Sequence, residues 1–312
     1  MKLRIGTRGS ALALWQSRHI AERLATLSPD IEVSLIEISS DGDRMTDLPL
    51  SHIEGTGFFT AALEWALLSG EVDVAVHSYK DLPVESSRDL TVAAVPRRGP
   101  VEDVLCARDG MTLETLPAGA RVGTCSTRRT AQVRLVRDDL EVVSLRGNVP
   151  TRVARVGADL DAIVLARAGL IRLGLDRAIS ETFSIERMLP APAQGALAVQ
   201  CRADDHEVRQ RLSLLDDEGT RRCVTAERQM LHALGGGCSV PVGAVARIVE
   251  GRLDLTGGVF GLATRRAARV KLSGDDAETL GELAAERLRE EGASAILAEF
   301  EPVDAFGAGA PS

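Results

Sequence analysis

Short apolar strands that run into polar turns and then into helix amino ends recur along this chain, and that order restricts it to an α/β architecture. The first such unit has a strand over residues 3–7, a turn at Arg8, Gly9 and Ser10, an apolar-periodic helix over 11–27 and a strand over 31–38. The most informative unit is VDVAVHSYKDLP, at 72–83. Val72, Val74 and Val76 alternate with Asp73 and Ala75, and the pattern stops at His77, Ser78, Tyr79, Lys80 and Asp81 before Pro83 forbids further ladder bonding. Ionisable residues therefore stand just past a strand's carboxyl end, the edge where open parallel sheets take ligands. A plain surface ion pair between Lys80 and Asp81 accounts for the same residues without any ligand.

A second α/β series follows a boundary at 96–100, PRRGP. Strands are predicted over 90–95, 104–107, 121–123, 140–145 and 161–166, with helices opening near 124–129, 150–151 and 168–170. A second crossing, PAPAQG at 190–195, precedes a strand over 196–200. Helices over 204–215 and 220–233, a hairpin of 242–248 with 252–257, a strand over 267–272 and a helix over 276–291 come next. The expected fold is thus two doubly wound α/β lobes with parallel-rich sheets and a small α+β C-terminal domain. Residues 1–96 with 197–214 form the first lobe, 101–190 the second and 218–304 the third domain, ahead of a disordered tail at 305–312. Residues 41–57 lack periodicity, and a loop of that length reads as a lid or as disorder.

Composition narrows the function. A chain of 312 residues exceeds the size at which one core stops growing, about 250–300 residues. Its net charge of −8 argues against a nucleic-acid or anionic membrane partner, and 3% aromatic residues against a stacking platform for single strands. No run approaches the ~20 apolar residues of a membrane span, and no apolar signal segment opens the chain, so a cytoplasmic location is expected. The five cysteines (Cys106, Cys125, Cys201, Cys223, Cys238) contain no CxxC pair, and the histidines have no ligand spacing, so neither a disulfide framework nor a metal is expected. GxGxxG and P-loop motifs are missing, which disfavours a nucleotide.

Positive charge gathers at turns. Arg8 with Ser10, Arg128 with Arg129, Arg146 with Asn148, and Arg152 all fall at strand carboxyl ends or first helical turns. Arginine forks bind carboxylates bidentately, so several converging on one cleft would suit a ligand with many carboxylates. With 34 arginines and only Lys2, Lys80 and Lys271 as lysines, some arginines reach turns by chance. Solvated arginines nevertheless favour helix faces over amino-terminal turns, where the macrodipole opposes them. Asp81 amid these cations is expected to stay ionised, against the opposite pull that partial burial would exert, and to be able to position a cationic leaving group and shuttle its proton. Cys238, after Gly235, Gly236 and Gly237, is a covalent attachment point, a nucleophile or a buried free thiol.

Eight stretches, in order, carry a resemblance to the porphobilinogen deaminase (hydroxymethylbilane synthase) family: IGTRGSALALWQS, SSDGDR, VDVAVHSYKDLP, RVGTCSTRRTAQ, LRGNVPTRV, DAIVLARAGLIRLGL, PAPAQGAL and GGGCSVPVGA. The resemblance implies three domains, the first two similar to periplasmic solute-binding lobes, in a monomer. It implies a transferase of haem and tetrapyrrole synthesis that joins four porphobilinogen units head to tail, with loss of ammonia, onto a covalently bound dipyrromethane primer. Hydrolysis then releases hydroxymethylbilane. By position, Asp81 matches the family's catalytic carboxylate and Cys238 its thioether attachment point. Lys80, Asp81, Ser126, Arg128 and Arg129 match cofactor-binding positions. Arg8, Ser10, Gln16, Thr124, Arg146, Arg152 and Arg172 match positions that bind the substrate's acetate and propionate groups.

The chain departs from the family pattern at Thr56, Cys125, Pro150, Ile171, Ala193 and Gln200. Those departures keep open a diverged paralogue acting on another pyrrole, and the paired lobes keep open a non-enzymatic small-anion-binding protein.

Overall fold

The computed structural model describes residues 1–38, 58–85, 87–236 and 240–300; the expected lid with Thr56, the expected attachment residue Cys238 and the expected tail lie outside them. In chain order the strands are β1 (Lys2–Thr7), β2 (Glu32–Glu37), β3 (Val74–Ser78), β4 (Leu90–Ala94), β5 (Asp103–Ala107), β6 (Arg121–Gly123), β7 (Glu141–Val143), β8 (Ala162–Ala166), β9 (Glu181–Thr182), β10 (Leu197–Arg202), β11 (Val242–Val249), β12 (Arg252–Phe260) and β13 (Ala267–Gly274). The helices are α1 (Ala11–Leu27), α2 (Phe58–Leu68), α3 (Thr127–Val136), α4 (Val149–Val153), α5 (Arg167–Arg172), α6 (His206–Leu212), α7 (Glu218–Ala233), α8 (Ala277–Glu290) and α9 (Ala293–Leu297).

The first lobe is a five-stranded sheet in the order β2-β1-β3-β10-β4. The strand expected from Val72 begins at Val74, and its side chains divide between two apolar layers. Val74 and Val76 pack with Ile20 and Leu24 of α1, whereas Ala75 packs with Val72 and with Leu63 and Leu67 of α2. A strand covered on both faces has no polar alternate, which is why the sequence reads VAV there. Helix α1 starts where Ser10 Oγ accepts a hydrogen bond from Ala13 N.

The second lobe repeats the plan in the order β7-β6-β8-β5-β9. Val122 and Val164 meet Val133 of α3 on one face, and Val104, Cys106 and Ile163 meet Leu145 and Leu170 on the other. The two sheets are parallel-rich as expected, except that β10 and β5 each run against their neighbours. Each reversed strand is the first one the chain forms after crossing from the other lobe. Residue pairing shows where the crossings emerge: Leu197 lies opposite Ser78 at the end of β3, and Asp103 opposite Ala166 at the end of β8. A short crossing between facing carboxyl edges must enter the new sheet at that edge, so its strand runs backwards.

The crossings lie side by side, joined by a bond from Gly99 N to Gly195 O of 3.1 Å. The third domain locks them. Its antiparallel sheet β11-β12-β13 carries α7 and α8 on one face, with Ala226, Met230, Leu255, Ala285 and Leu288 in its core. From α7, the fully buried Glu227 accepts bonds from Arg98 Nη1 (2.6 Å), Arg98 Nη2 (2.9 Å), Ala193 N (2.6 Å) and Ala246 N (2.7 Å). Breaking such a buried pair by removing one partner costs about 3–5 kcal/mol.

Gly195 has φ +85°, and a Cβ there would lie 2.5 Å from Pro100 O. Gly195→Ala is expected to lower unfolding free energy by about 1–3 kcal/mol, measured by urea denaturation. An unchanged midpoint would show that the crossings separate without cost.

Candidate active site

Because both crossings enter at the carboxyl edges, they place side chains beside the turns that follow β3, β6 and β8. After β3 the chain makes a three-residue 3₁₀ turn, Tyr79–Asp81, with Leu82 N bonded back to Tyr79 O. Asp81 is exposed, so burial does not oppose its ionised form. Its neighbour Lys80 is part-buried and donates from Nζ to Gln194 Oε1 at 3.3 Å. Burial pushes the Lys80 ammonium down to about 8, with Asp81 opposing and Arg129 adding to the shift. Gln16 of α1, buried, donates from Nε2 to Ser78 Oγ at 2.9 Å and so fixes the residue ahead of the turn.

Gln194 carries the chain of contacts into the second lobe. Its Nε2 donates to Val101 O and to Asp103 Oδ1, both at 2.8 Å. Asp103 is fully buried and receives two guanidinium groups from the first turn of α3. Arg128 Nη1 donates to Oδ2 at 2.7 Å; Arg129 donates to Oδ1 from Nη2 at 2.7 Å and from Nε at 3.1 Å. Burial alone would raise the Asp103 pKa, but Arg128 and Arg129 outweigh it and hold the carboxyl well below the usual carboxylate range. Both arginines are themselves buried, at 4% and 6% exposure. Sequence reasoning set them against ligand acids; the structure adds a carboxylate of the chain's own between them.

The other expected site residues surround this core. Ser126 caps α3, accepting from Arg129 N, and its own N–H donates to Oγ1 of the buried Thr124. Arg146 is exposed on the turn between β7 and α4. Arg152 donates to Gly147 O at 2.6 Å and reaches Cys125 Sγ at 3.5 Å. Arg172 lies at the crossings, donating to Gly195 O at 2.7 Å, with its guanidinium 5.6 Å from the centre of the Trp15 ring; burial lowers its pKa to about 10. Arg8 is half-buried in the turn between β1 and α1, next to the capping Ser10. The network thus joins Arg128 and Arg129 directly through Asp103 and Lys80 at one remove through Gln194, Ser126 and Thr124 stand at the start of the helix that carries the two arginines, and Arg146 lies exposed.

Four of the six departures have a defined local setting, and nothing in the structure explains Cys125. Pro150 stands in the first turn of α4, where a missing N–H is harmless. Ala193 takes the left-handed φ of +59°, which explains the family's glycine. Ile171 is exposed. Gln200 Oε1 lies 3.1 Å from His77 Nε2, and its Nε2 donates to Glu64 Oε1 at 3.0 Å, so the amide carbonyl accepts the imidazole proton.

Sequence reasoning missed Asp103, Gln194 and Arg228. Arg228 of α7 donates from Nη1 to Tyr79 O (3.3 Å) and Leu82 O (3.1 Å) and from Nη2 to Pro83 O (2.6 Å), tying the Asp81 turn to the third domain. Among the described residues the network sets the cations Lys80, Arg128 and Arg129 beside the carboxylates of Asp103 and Asp81. That donor set fits a group bearing several carboxylates, such as dipyrromethane.

Comparison with known proteins agrees. Residues 3–210 match the family described as porphobilinogen deaminase, dipyromethane cofactor binding domain, and residues 221–290 match porphobilinogen deaminase, C-terminal domain. The chain is 42% identical to the porphobilinogen deaminase of Natranaerobius thermophilus over 309 residues, covering 96% of this chain and 99% of that one. It is 48% identical over 301 residues to that of Xanthomonas campestris pv. campestris, again covering 96% and 99%. Among solved structures, a nutrient binding protein from Burkholderia cenocepacia bound to methionine aligns with TM-score 0.42 and 14% identity, covering 73% of this chain and 94% of its own. That likeness is too slight to add to the sheet topology. Fold and site define a two-lobed α/β protein with a cationic interlobe site overlooked by a third domain. More particularly, the chain belongs to the porphobilinogen deaminase family.

Burial lowers the His77 pKa to about 4, against the weaker pull of Gln200. Between pH 6.5 and 4 the unfolded chain takes up a proton that the folded chain refuses, so stability falls as pH falls through that window. The loss is expected to reach about 3 kcal/mol and to shrink in His77→Asn, measured by urea unfolding across that range.

Proposed function

We propose that the protein is a hydroxymethylbilane synthase, a transferase that joins four porphobilinogen units head to tail with loss of ammonia and releases the linear tetrapyrrole by hydrolysis. Family membership supports the activity, and the observation that carries the residue roles is the exposed Asp81 beside a buried cationic network. When bound through Cys238, dipyrromethane supplies the free pyrrole α-carbon at which the first new carbon–carbon bond forms. Lys80, Ser126, Arg128 and Arg129 hold its carboxylates. Arg8, Ser10, Gln16, Thr124, Arg146, Arg152 and Arg172 orient those of incoming porphobilinogen.

Asp81 accepts hydrogen bonds from pyrrole N–H groups and offsets the positive charge that builds as the aminomethyl carbon–nitrogen bond breaks. The departing nitrogen carries a proton away as ammonia is lost, and the proton released at the attacked α-carbon passes to a carboxylate in reach. Lobes 1–96 with 197–214 and 101–190 flank the reaction, and 218–304 carries the attachment residue. A cytoplasmic monomer acting on free porphobilinogen, without nucleic acid or membrane, completes the reading; among the described residues no helix is long and apolar enough to cross a membrane.

Intact mass tests the cofactor: the purified protein should exceed its chain by two pyrrole units, and Cys238→Ser should not. Asp81→Asn should keep that mass yet lose about 10²- to 10⁴-fold in kcat. A bare-chain mass that persists after incubation with porphobilinogen would instead favour a binding protein. Assembly of the loaded protein from the bare chain should also slow above about pH 8, where Lys80 loses its proton, and Lys80→Arg should move that limb to higher pH, followed by intact mass.

A further inference from the structure

Asp81 stands on a turn of three residues whose internal backbone bond, Leu82 N to Tyr79 O, is long at 3.3 Å. The last backbone bond to the neighbouring segment runs from Tyr79 N to Ala196 O at 3.0 Å, and Pro83 has no N–H to extend the ladder, so strand pairing holds only the first residue of the turn. Three carbonyls on either side of Asp81, those of Tyr79, Leu82 and Pro83, converge on the single guanidinium of Arg228. The same guanidinium lies 4.5 Å from the centre of the Tyr79 ring. Only a planar fork can serve three acceptors and a ring face together.

Arg228 comes from the third domain. It follows Glu227, which fixes α7 to both crossings, and the chain continues from α7 to Cys238. Val84, just past the turn, packs against the third domain's core. The Asp81 carboxylate is therefore located by the helix that precedes the attachment residue, as well as by its own lobe.

We propose that Arg228 is a positioning residue for the condensation, fastening the Asp81 turn to α7; this rests on the activity proposed above. Arg228→Met keeps the aliphatic stem and removes the fork, and Arg228→Lys keeps the charge. Holoenzymes of both should retain two pyrrole units by intact mass. In Arg228→Met, kcat should fall about 10- to 100-fold with KM for porphobilinogen within about twofold, and Arg228→Lys should be intermediate. Amide exchange should quicken at residues 79–84 and stay unchanged in β3 and the third-domain core.

A loaded Arg228→Met enzyme with wild-type kcat overturns the proposal. So does exchange that quickens equally across β3 and the third domain, which marks general loosening, and so does loss of the pyrrole units, which moves Arg228 to cofactor attachment. Should wild type itself carry no pyrrole units and show no turnover, the proposed activity fails, while the exchange comparison still decides whether Arg228 fastens the turn.

Discussion

A carboxylate wholly out of water stays charged only where cations and donors replace its hydration, and Asp103 is such a group. Its position is set by β5, whose reversed direction puts its first residue at the cleft edge. Arg128 and Arg129 reach it from α3 and Gln194 from the other crossing, so one anion fixes the spacing of three elements. Lys80 depends on it at one remove, through Gln194. Cationic side chains from two lobes are thereby pre-set in one place before any ligand arrives, which lowers the ordering cost of binding.

Much of this was legible in the sequence, and what was not has a physical reason. Short apolar runs and polar turns at helix starts located the strands and helices, since the strands are covered on both faces and helix boundaries fall at Ser10 and Ser126. The reversal of β5 and β10 was not legible, because alternation reads the same in either direction along a strand. Asp103 was missed because its partners lie 25, 26 and 91 residues away and nothing local marks the contact. Glu227 did carry a signal: it occupies the buried stripe of α7 with Cys223, Val224, Met230 and Leu231, a place where spacing calls for an apolar residue. Asp81 is exposed on the 3₁₀ turn that follows β3, past the covered part of the strand, which alternation cannot forecast.

The third domain acts through adjacent residues of one helix. Glu227 takes its bonds from Arg98 and Ala193, one on each crossing, while Arg228 takes the carbonyls around Asp81. Because these residues share a backbone, a shift of α7 relative to the crossings is transmitted to the Asp81 turn. The strained φ of Ala193 belongs to the same junction, since its N–H must aim at Glu227.

The strand order bears on synthesis as well. All strands of the second sheet lie between Asp103 and Thr182, so that sheet needs nothing outside its own stretch of chain. The first sheet differs, because β10 sits between β3 and β4 and pairs with both. On a growing chain the first lobe emerges earliest, yet among the described strands β4 has none to pair with until residues 197–202 leave the ribosome. The lobe that begins the chain is thus completed after the lobe that follows it.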